Sequence, residues 1–234
     1  MSLKGKRVVI IGGTSGIGLS TARAFLDQSA QVIIASRSAA KLSAAKKALG
    51  DQVDIFELDF RNEEMVADVF NKIGKFDHLV ITAGEITTGR FSDLPISDAK
   101  ESFENKFWGQ YITVRAAVPY LNNASSITMT SGGYAKGATT LEAVNSAVEG
   151  LVRGLAVDLA PVRVNVVSPG MVDTPLFSGM PEELRQESFS KAAQHLPVGR
   201  VGKPEDIAQS YVYLAENGFT TGTVVTINGG AHLG

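Results

Sequence analysis

The sequence predicts an α/β fold of the doubly wound kind, one seven-stranded parallel sheet with helices on both faces, in a single domain over 1–234. Three observations predict it. Short apolar runs alternate with helix-length segments along the whole chain, the pattern of repeated βαβ units. The first run, Val8–Ile11, leads directly into Gly12, Gly13, Gly16 and Gly18 and then into an amphipathic segment. The 234 residues suffice for one large core, and no linker, internal repeat or low-complexity segment divides them.

The elements follow in order. Arg7–Gly18 (RVVIIGGTSGIG) reads as buried strand, tight glycine turn and helix start, with Leu19, Ala22 and Ala24–Leu26 on one helical face. Glycines at such a turn let backbone N–H groups approach a ligand, and the helix N-terminus adds partial positive charge, which together suit a pyrophosphate. The bland alternative, a loop that only turns the chain, is disfavoured by the strand and helix on either side. Gln31–Ala35 is a second strand, Ala39–Leu49 a helix ended by Gly50, Val53–Glu57 a third strand, and Glu63–Ile73 a helix ended by Gly74. Asp77–Thr82 is the fourth strand, closed by Ala83 and Gly84. Ser97 and Asp98 start a long helix to about Leu121. Ser126–Thr130 is the fifth strand and 131–137 a Gly-rich loop. Thr140–Ala160 carries small and apolar residues on nearly every side, predicting a helix buried on more than one face. Arg163–Val167 is the sixth strand, 173–195 a polar, mobile-looking stretch, Lys203–Ala215 a helix and Thr223–Ile227 the seventh strand.

Composition narrows the function. A net charge of −2 gives no electrostatic reason to expect nucleic acid or an anionic membrane as partner. The absence of cysteine removes disulfides, thiolate zinc sites and a cysteine nucleophile. His78, His195 and His232 lack metal-ligand spacing, so no metal site is expected. His78 reads as a strand-start residue, the other two as surface or substrate-loop residues. MSLKGKRVVIIGG runs straight into the first strand, and no apolar run approaches a membrane span, so a cytoplasmic protein is expected.

A glycine pattern alone is a weak signal, and the spacing here is Gly-x-x-x-Gly-x-Gly (Gly12, Gly16, Gly18). It is joined by Asp59 after the third strand, Ala83–Gly84 after the fourth, RVNVVSPG at 163–170, VGRVGKPEDIA at 198–208 and TGTVVTINGG at 221–230. In this combination, over essentially its whole length, the chain resembles the short-chain dehydrogenase/reductase family. The resemblance implies a Rossmann-type fold, a nicotinamide cofactor and a small-molecule carbonyl or alcohol substrate. It implies that Gly12, Thr14, Ser15, Gly16, Ile17 and Gly18 hold the pyrophosphate and adenosine ribose. Asp59 and Phe60 would meet the adenine, and Ala83 and Gly84 the ribose path, although Ile81–Thr82 stands where the family has Asn-Asn. Pro169, Gly170, Val172 and Thr174 would lie against the nicotinamide. Taken singly, each has a structural alternative, such as a strand-end cap at Asp59 or a turn at Pro169–Gly170.

The dinucleotide follows from charge. NAD-binding folds of this kind usually place an acidic residue after the second strand. Here the place holds Ser36, followed by Arg37. A carboxylate would repel a 2′-phosphate, whereas a hydroxyl and a guanidinium bind it, so NADP(H) is expected over NAD(H). The alternative is an Arg37 that is only solvated surface.

The catalytic residues break the pattern. The family couples hydride transfer to proton transfer by a tyrosine whose pKa, about 10 when free, is lowered by a lysine four residues later. Ser131 and Asn105 stand where the family serine and asparagine belong. Aligned through AVEGL at 147–151, the tyrosine place holds Leu141 and the lysine place Asn145, which can hydrogen-bond a ribose hydroxyl but carries no charge. None of the five tyrosines has a lysine four residues on. Three readings stay open: a relocated acid, with Tyr134 in SGGYAKG as candidate against a loop-anchor role; a slow reductase using Ser131 and water; and a silent nucleotide-binding protein serving as sensor or partner subunit. Glu85 and Glu142 read as solvated surface.

Two features bear on assembly and access. Phe107, Trp108 and Tyr111 follow helical spacing, as core or subunit contacts, and Ala143, Ala147, Gly150 and Gly154 permit close helix packing. The resemblance implies a homodimer or homotetramer, against packing on the chain's own sheet alone. The segment at about 173–196, with an acidic stretch at 181–187, is expected to form a lid over the substrate.

Overall fold

In the computed structural model, which describes residues 2–133 and 137–233, seven strands form one parallel sheet. They are β1 (Arg7–Ile11), β2 (Gln31–Ser36), β3 (Asp54–Glu57), β4 (His78–Ile81), β5 (Ser126–Thr130), β6 (Arg163–Pro169) and β7 (Val224–Ile227), in the order β3-β2-β1-β4-β5-β6-β7. The chain fills the sheet outward from β1 to β3, returns to pair β4 with the other side of β1, and proceeds to β7. That reversal opens a crevice beyond the carboxyl ends of β1 and β4, where ligands of open α/β sheets bind.

Successive strand residues face opposite sides of the sheet, so continuous apolar runs feed two cores. Val8 and Ile10 join Ala22 and Phe25 of α1 (Gly16–Asp27), Leu42 of α2 (Ala39–Leu49), and Ile207, Tyr211 and Leu214 of α8 (Pro204–Glu216). Val9 and Ile11 join the other core. It includes Val66 and Phe70 of α3 (Glu63–Ile73), Val114 of α5 (Gly109–Ala117), and Val148 and Val152 of α6 (Thr139–Asp158). Fully burying side chains of this size contributes about 1.5–3 kcal/mol each. At the opposite, amino edge of the sheet, His78 begins β4, buried beside Ser126, and desolvation lowers its pKa to about 4.

The long helix expected from 97 to 121 is not one regular helix. It runs as α4 (Ile96–Ser102), a π-helical segment at Phe103–Trp108, α5, and a 3₁₀ turn at Val118–Tyr120. Its orientation also departs from the amphipathic reading. Ser102, Lys106, Gln110 and Thr113 are buried, whereas Phe107 and Tyr111 are half-buried and Trp108 is exposed. Polar side chains turn inward because each finds a partner. Gln110 exchanges two hydrogen bonds with the backbone of Thr130 (3.0 and 3.1 Å), and Thr113 donates to the carbonyl of Gly109.

Helix α6 buries one face, through Val144, Asn145, Val148 and Val152, not several. Ala143, Gly150, Gly154 and Val157 are exposed within the protomer. The polar 173–195 stretch holds a 3₁₀ turn at Pro175–Phe177 and the helix α7 (Glu182–His195), which includes most of the acidic stretch at 181–187. Phe189 anchors α7 by an edge-on contact with Phe177.

Candidate functional site

The crevice at the β1/β4 divergence is a cavity of about 330 Å³. Its floor is the glycine turn. Gly12 has a φ of +94°, and a Cβ there would lie 2.7 Å from the Ala83 nitrogen. A Cβ on Gly18 would overlap the Gly12 carbonyl, and one on Gly16 would come within 3.2 Å of Thr174. The glycines therefore close the β1–α1 turn onto β4 and bring backbone within reach of the crevice. Helix α1 starts there, with Ser15 making no side-chain cap. A helix start left without a side-chain acceptor suits an anion.

Gly12, Thr14, Ser15, Gly16, Ile17, Gly18, Ser36, Arg37, Phe60, Ala83, Gly84, Asn105 and Thr174 line the crevice. Ser36 stands at the end of β2, and its Oγ accepts from Thr14 Oγ1 at 3.4 Å. Arg37 is half exposed and reaches Glu85 at 3.0 Å, so Glu85 belongs to the crevice wall as well as to the surface. Lys41, Pro175 and Leu176 also line it, without having been singled out in the sequence. Lys41 is a second cation on the same rim as Arg37.

Other expected residues lie elsewhere. Asp59 is not on the crevice wall. Arg61 takes both its carboxylate oxygens, at 2.9 and 2.7 Å, and that hydrogen bonding holds its carboxyl below the usual carboxylate range. Arg61 also donates to Asn105 Oδ1 at 2.9 Å, so Asn105 faces the crevice with its carbonyl oxygen already engaged. Pro169, Gly170 and Val172 lie behind the wall. Pro169 ends β6, Gly170 packs on Asn228, and Val172 is buried. Tyr134 lies outside the described residues. Glu142 is half-buried on the first turn of α6 rather than freely solvated.

Behind Gly84 the structure holds a buried polar cluster. Thr130, bonded to the Ile81 carbonyl and to Tyr211, fixes the end of β5, and the chain leaves it through Ser131. Ser131 Oγ donates to Glu149 at 2.9 Å, and the Ser131 carbonyl accepts from Lys106 Nζ at 2.7 Å. The Lys106 stem passes so close to Gly84 that a Cβ there would lie 2.9 Å from its Cγ. Burial pulls the Lys106 pKa down to about 8, with Glu149 opposing the shift. Asn145, 3% exposed, has neither amide atom hydrogen-bonded, and its nitrogen lies 2.9 Å from a Cβ built on Gly132. A buried amide without partners costs about 1–3 kcal/mol, which a polar ligand can relieve. Sequence reasoning missed Lys106 and Glu149. The one available signal was a lysine directly after Asn105.

Among the described residues there is no grouping able to hold a metal ion, and no helix is long and apolar enough to cross a membrane. The glycine turn, the uncapped α1, the cations at the β2 end and the orphaned Asn145 fit a phosphate-bearing dinucleotide laid across the crevice.

Comparison with known proteins gives this geometry a lineage. Residues 12–232 match the family model described as enoyl-(acyl carrier protein) reductase. A short-chain dehydrogenase/reductase of Stachybotrys chlorohalonatus is 34% identical, over 99% of both chains. The 3-oxoacyl-(acyl-carrier-protein) reductase of Thermotoga maritima is 32% identical, over 98% of this chain and 99% of its own. Among solved structures, a small-chain dehydrogenase in complex with NADPH is 34% identical with a TM-score of 0.83, covering 99% of this chain and 100% of its own. The MalC reductase/Diels-Alderase of Malbranchea aurantiaca is 30% identical with a TM-score of 0.91, covering 99% and 98%. With a parallel sheet in this order, a glycine cradle at its switch point and relatives aligned end to end, the chain belongs to the short-chain dehydrogenase/reductase family.

Proposed function

We propose that the protein is an NADP(H)-dependent oxidoreductase acting on a small carbonyl or alcohol substrate, with catalysis organised differently from the Tyr-x-x-x-Lys pattern. The observation that carries the reading is the crevice itself. It combines a glycine-closed turn, a helix start without a side-chain cap, and Ser36, Arg37 and Lys41 at the β2 end. Arg37 and Lys41 suit a 2′-phosphate, through charge-assisted hydrogen bonds that a carboxylate at this place would forbid. The NADPH complex of the 34%-identical dehydrogenase supports the same choice.

In this reading Gly12, Thr14, Ser15, Gly16, Ile17 and Gly18 hold the pyrophosphate. Ser36 and Arg37 hold the phosphorylated ribose. Asp59 and Phe60 border the adenine, with Asp59 acting from behind the wall through Arg61. Ala83, Gly84 and Asn145 border the nicotinamide ribose, and Pro169, Gly170, Val172 and Thr174 support the nicotinamide end. NADPH supplies a hydride to the substrate carbon. Ser131 orients the substrate oxygen, its hydroxyl held by Glu149 and its backbone by Lys106. Leu176 and α7 shield the crevice from water as a lid. The exposed face of α6 and the aromatic group of Phe107, Trp108 and Tyr111 suit pairing with a second copy as a homodimer or homotetramer, in the cytoplasm.

The competing reading is a silent NADP(H)-binding protein, which Leu141 and Asn145 favour because neither can exchange a proton. NADPH oxidation over ketones, aldehydes and quinones separates the two. Turnover that Ser131→Ala lowers tenfold or more supports the enzyme. Micromolar NADPH binding with no turnover over that panel supports the silent form.

A further inference from the structure

We propose that Lys106 supplies the positive charge at the nicotinamide end of the crevice that Asn145 cannot, and that its ammonium is the source of the proton taken up when a carbonyl is reduced. The assignment deepens the oxidoreductase reading above and rests on it.

Geometry carries the argument. Lys106 and Asn145 come from different helical segments, yet they flank the same two residues. Lys106 Nζ donates to the Ser131 carbonyl, and the Asn145 amide abuts Gly132. A cation absent from α6 is thus matched by a cation that reaches the same two residues from another helical segment. Lys106 also stands one residue after Asn105 and packs its stem on Gly84, both of which line the crevice. It is therefore directly behind the wall, not in the deep core.

The local backbone is built for this. Phe103–Trp108 is π-helical, a conformation that is rare and recurs at functional sites. Lys106 lies within this segment, with its side chain buried. Burying a lysine to 8% exposure costs several kcal/mol unless it is partnered, and a purely structural position would be filled more cheaply by leucine. A desolvated lysine with its pKa drawn down toward 8 exchanges protons more readily than a free one.

Among the described residues, Glu149 from α6 is the charged group that acts on the ammonium, while the chain beyond β4 presents Gly84 and β5 leads into Ser131, which do not titrate in the working range. Glu149 is the positioning residue. It holds Ser131 Oγ and stabilises the protonated lysine. In the reduction, the substrate carbon would gain a hydride from NADPH, leaving NADP⁺, and the carbonyl oxygen would gain one proton that originates at Nζ and is relayed by an intervening water, the neutral amine then regaining a proton from solvent. The reverse reaction returns the proton to Nζ.

Cofactor binding tests this without a substrate. The oxidised nicotinamide ring carries a positive charge that the reduced ring lacks, so a neighbouring ammonium disfavours NADP⁺ relative to NADPH. The 2′-phosphate is common to both and cancels in the ratio of their Kd values. In the wild type, Kd(NADP⁺)/Kd(NADPH) should fall three- to tenfold as pH rises from 7 to 9. In Lys106→Met it should be low and flat. In Lys106→Arg, which keeps its charge throughout, it should be high and flat. Glu149→Gln should keep the dependence but move its midpoint to lower pH. Lys106→Gln serves where Met does not fold, and NADPH affinity reports folding for every variant. A wild-type ratio that is flat, or equally pH-dependent in Lys106→Met, overturns the assignment. If NADPH oxidation is nevertheless observed, the oxidoreductase reading survives without Lys106. If neither cofactor form binds, that reading falls and the Lys106 assignment with it.

Discussion

The two ends of the crevice are built on different principles. At the adenine end the backbone does the work. Gly12, Gly16 and Gly18 close the turn, α1 presents its first turn, and Ser36, Arg37 and Lys41 add side chains at the rim. At the end proposed for the nicotinamide, side chains predominate. Lys106, Ser131, Glu149 and Asn145 meet behind Gly84 from three separate elements. Backbone requirements admit few substitutions, because a Cβ at Gly18 has nowhere to go. Side-chain requirements can be met from more than one direction, so a family can keep its cofactor cradle while its catalytic groups move.

The largest expected effect lies at the backbone end. Gly18→Val should abolish NADPH binding and destabilise the fold by about 2–4 kcal/mol, read by chemical denaturation. A folded variant with wild-type affinity would show that the cradle is not where the cofactor lies. Ser131→Ala should leave NADPH affinity within twofold while lowering turnover about ten- to a thousandfold, since it removes the hydroxyl held by Glu149. An equal loss of affinity would blur the two ends into one site.

Legibility in the sequence divides along the same line. The glycine turn could be read because its constraints are local: a φ of +94° at Gly12 and close packing at Gly18 need glycine whatever surrounds them. The alternation of strands and helices was legible for the same reason. Lys106 was not legible. Helical periodicity groups it with Ser102, Gln110 and Thr113, a polar stripe that reads as solvated, opposite Phe103, Phe107 and Tyr111. The structure turns that stripe inward, since Gln110 pairs with Thr130 and Lys106 with Ser131. Those partners are 20 and 25 residues away, and no local pattern announces them. Asp59 was recognised by position, but its neutralisation by Arg61 depended on how the turn folds.

Smaller effects probe the adenine end again. Arg37→Ala should weaken NADPH about ten- to a hundredfold and leave NADH nearly unchanged, the worth of a charge-assisted contact to the 2′-phosphate. Isothermal titration with both cofactors checks it, and equal losses would make Arg37 a surface residue. Glu85→Gln frees Arg37 from its 3.0 Å exposed ion pair. It should tighten NADPH about two- to fivefold, the scale of such pairs. An unchanged affinity would mean that the pair does not compete with the phosphate.

The central claim is that this crevice carries out hydride chemistry without a Tyr-x-x-x-Lys pair. The most direct measurement is single-turnover oxidation of NADPH over the carbonyl panel, with wild type and Lys106→Met side by side at matched saturation. The account predicts oxidation by the wild type and a rate about a hundredfold or more lower in Lys106→Met, with NADPH still bound. Saturating NADPH that is not oxidised by the wild type across that panel would contradict it.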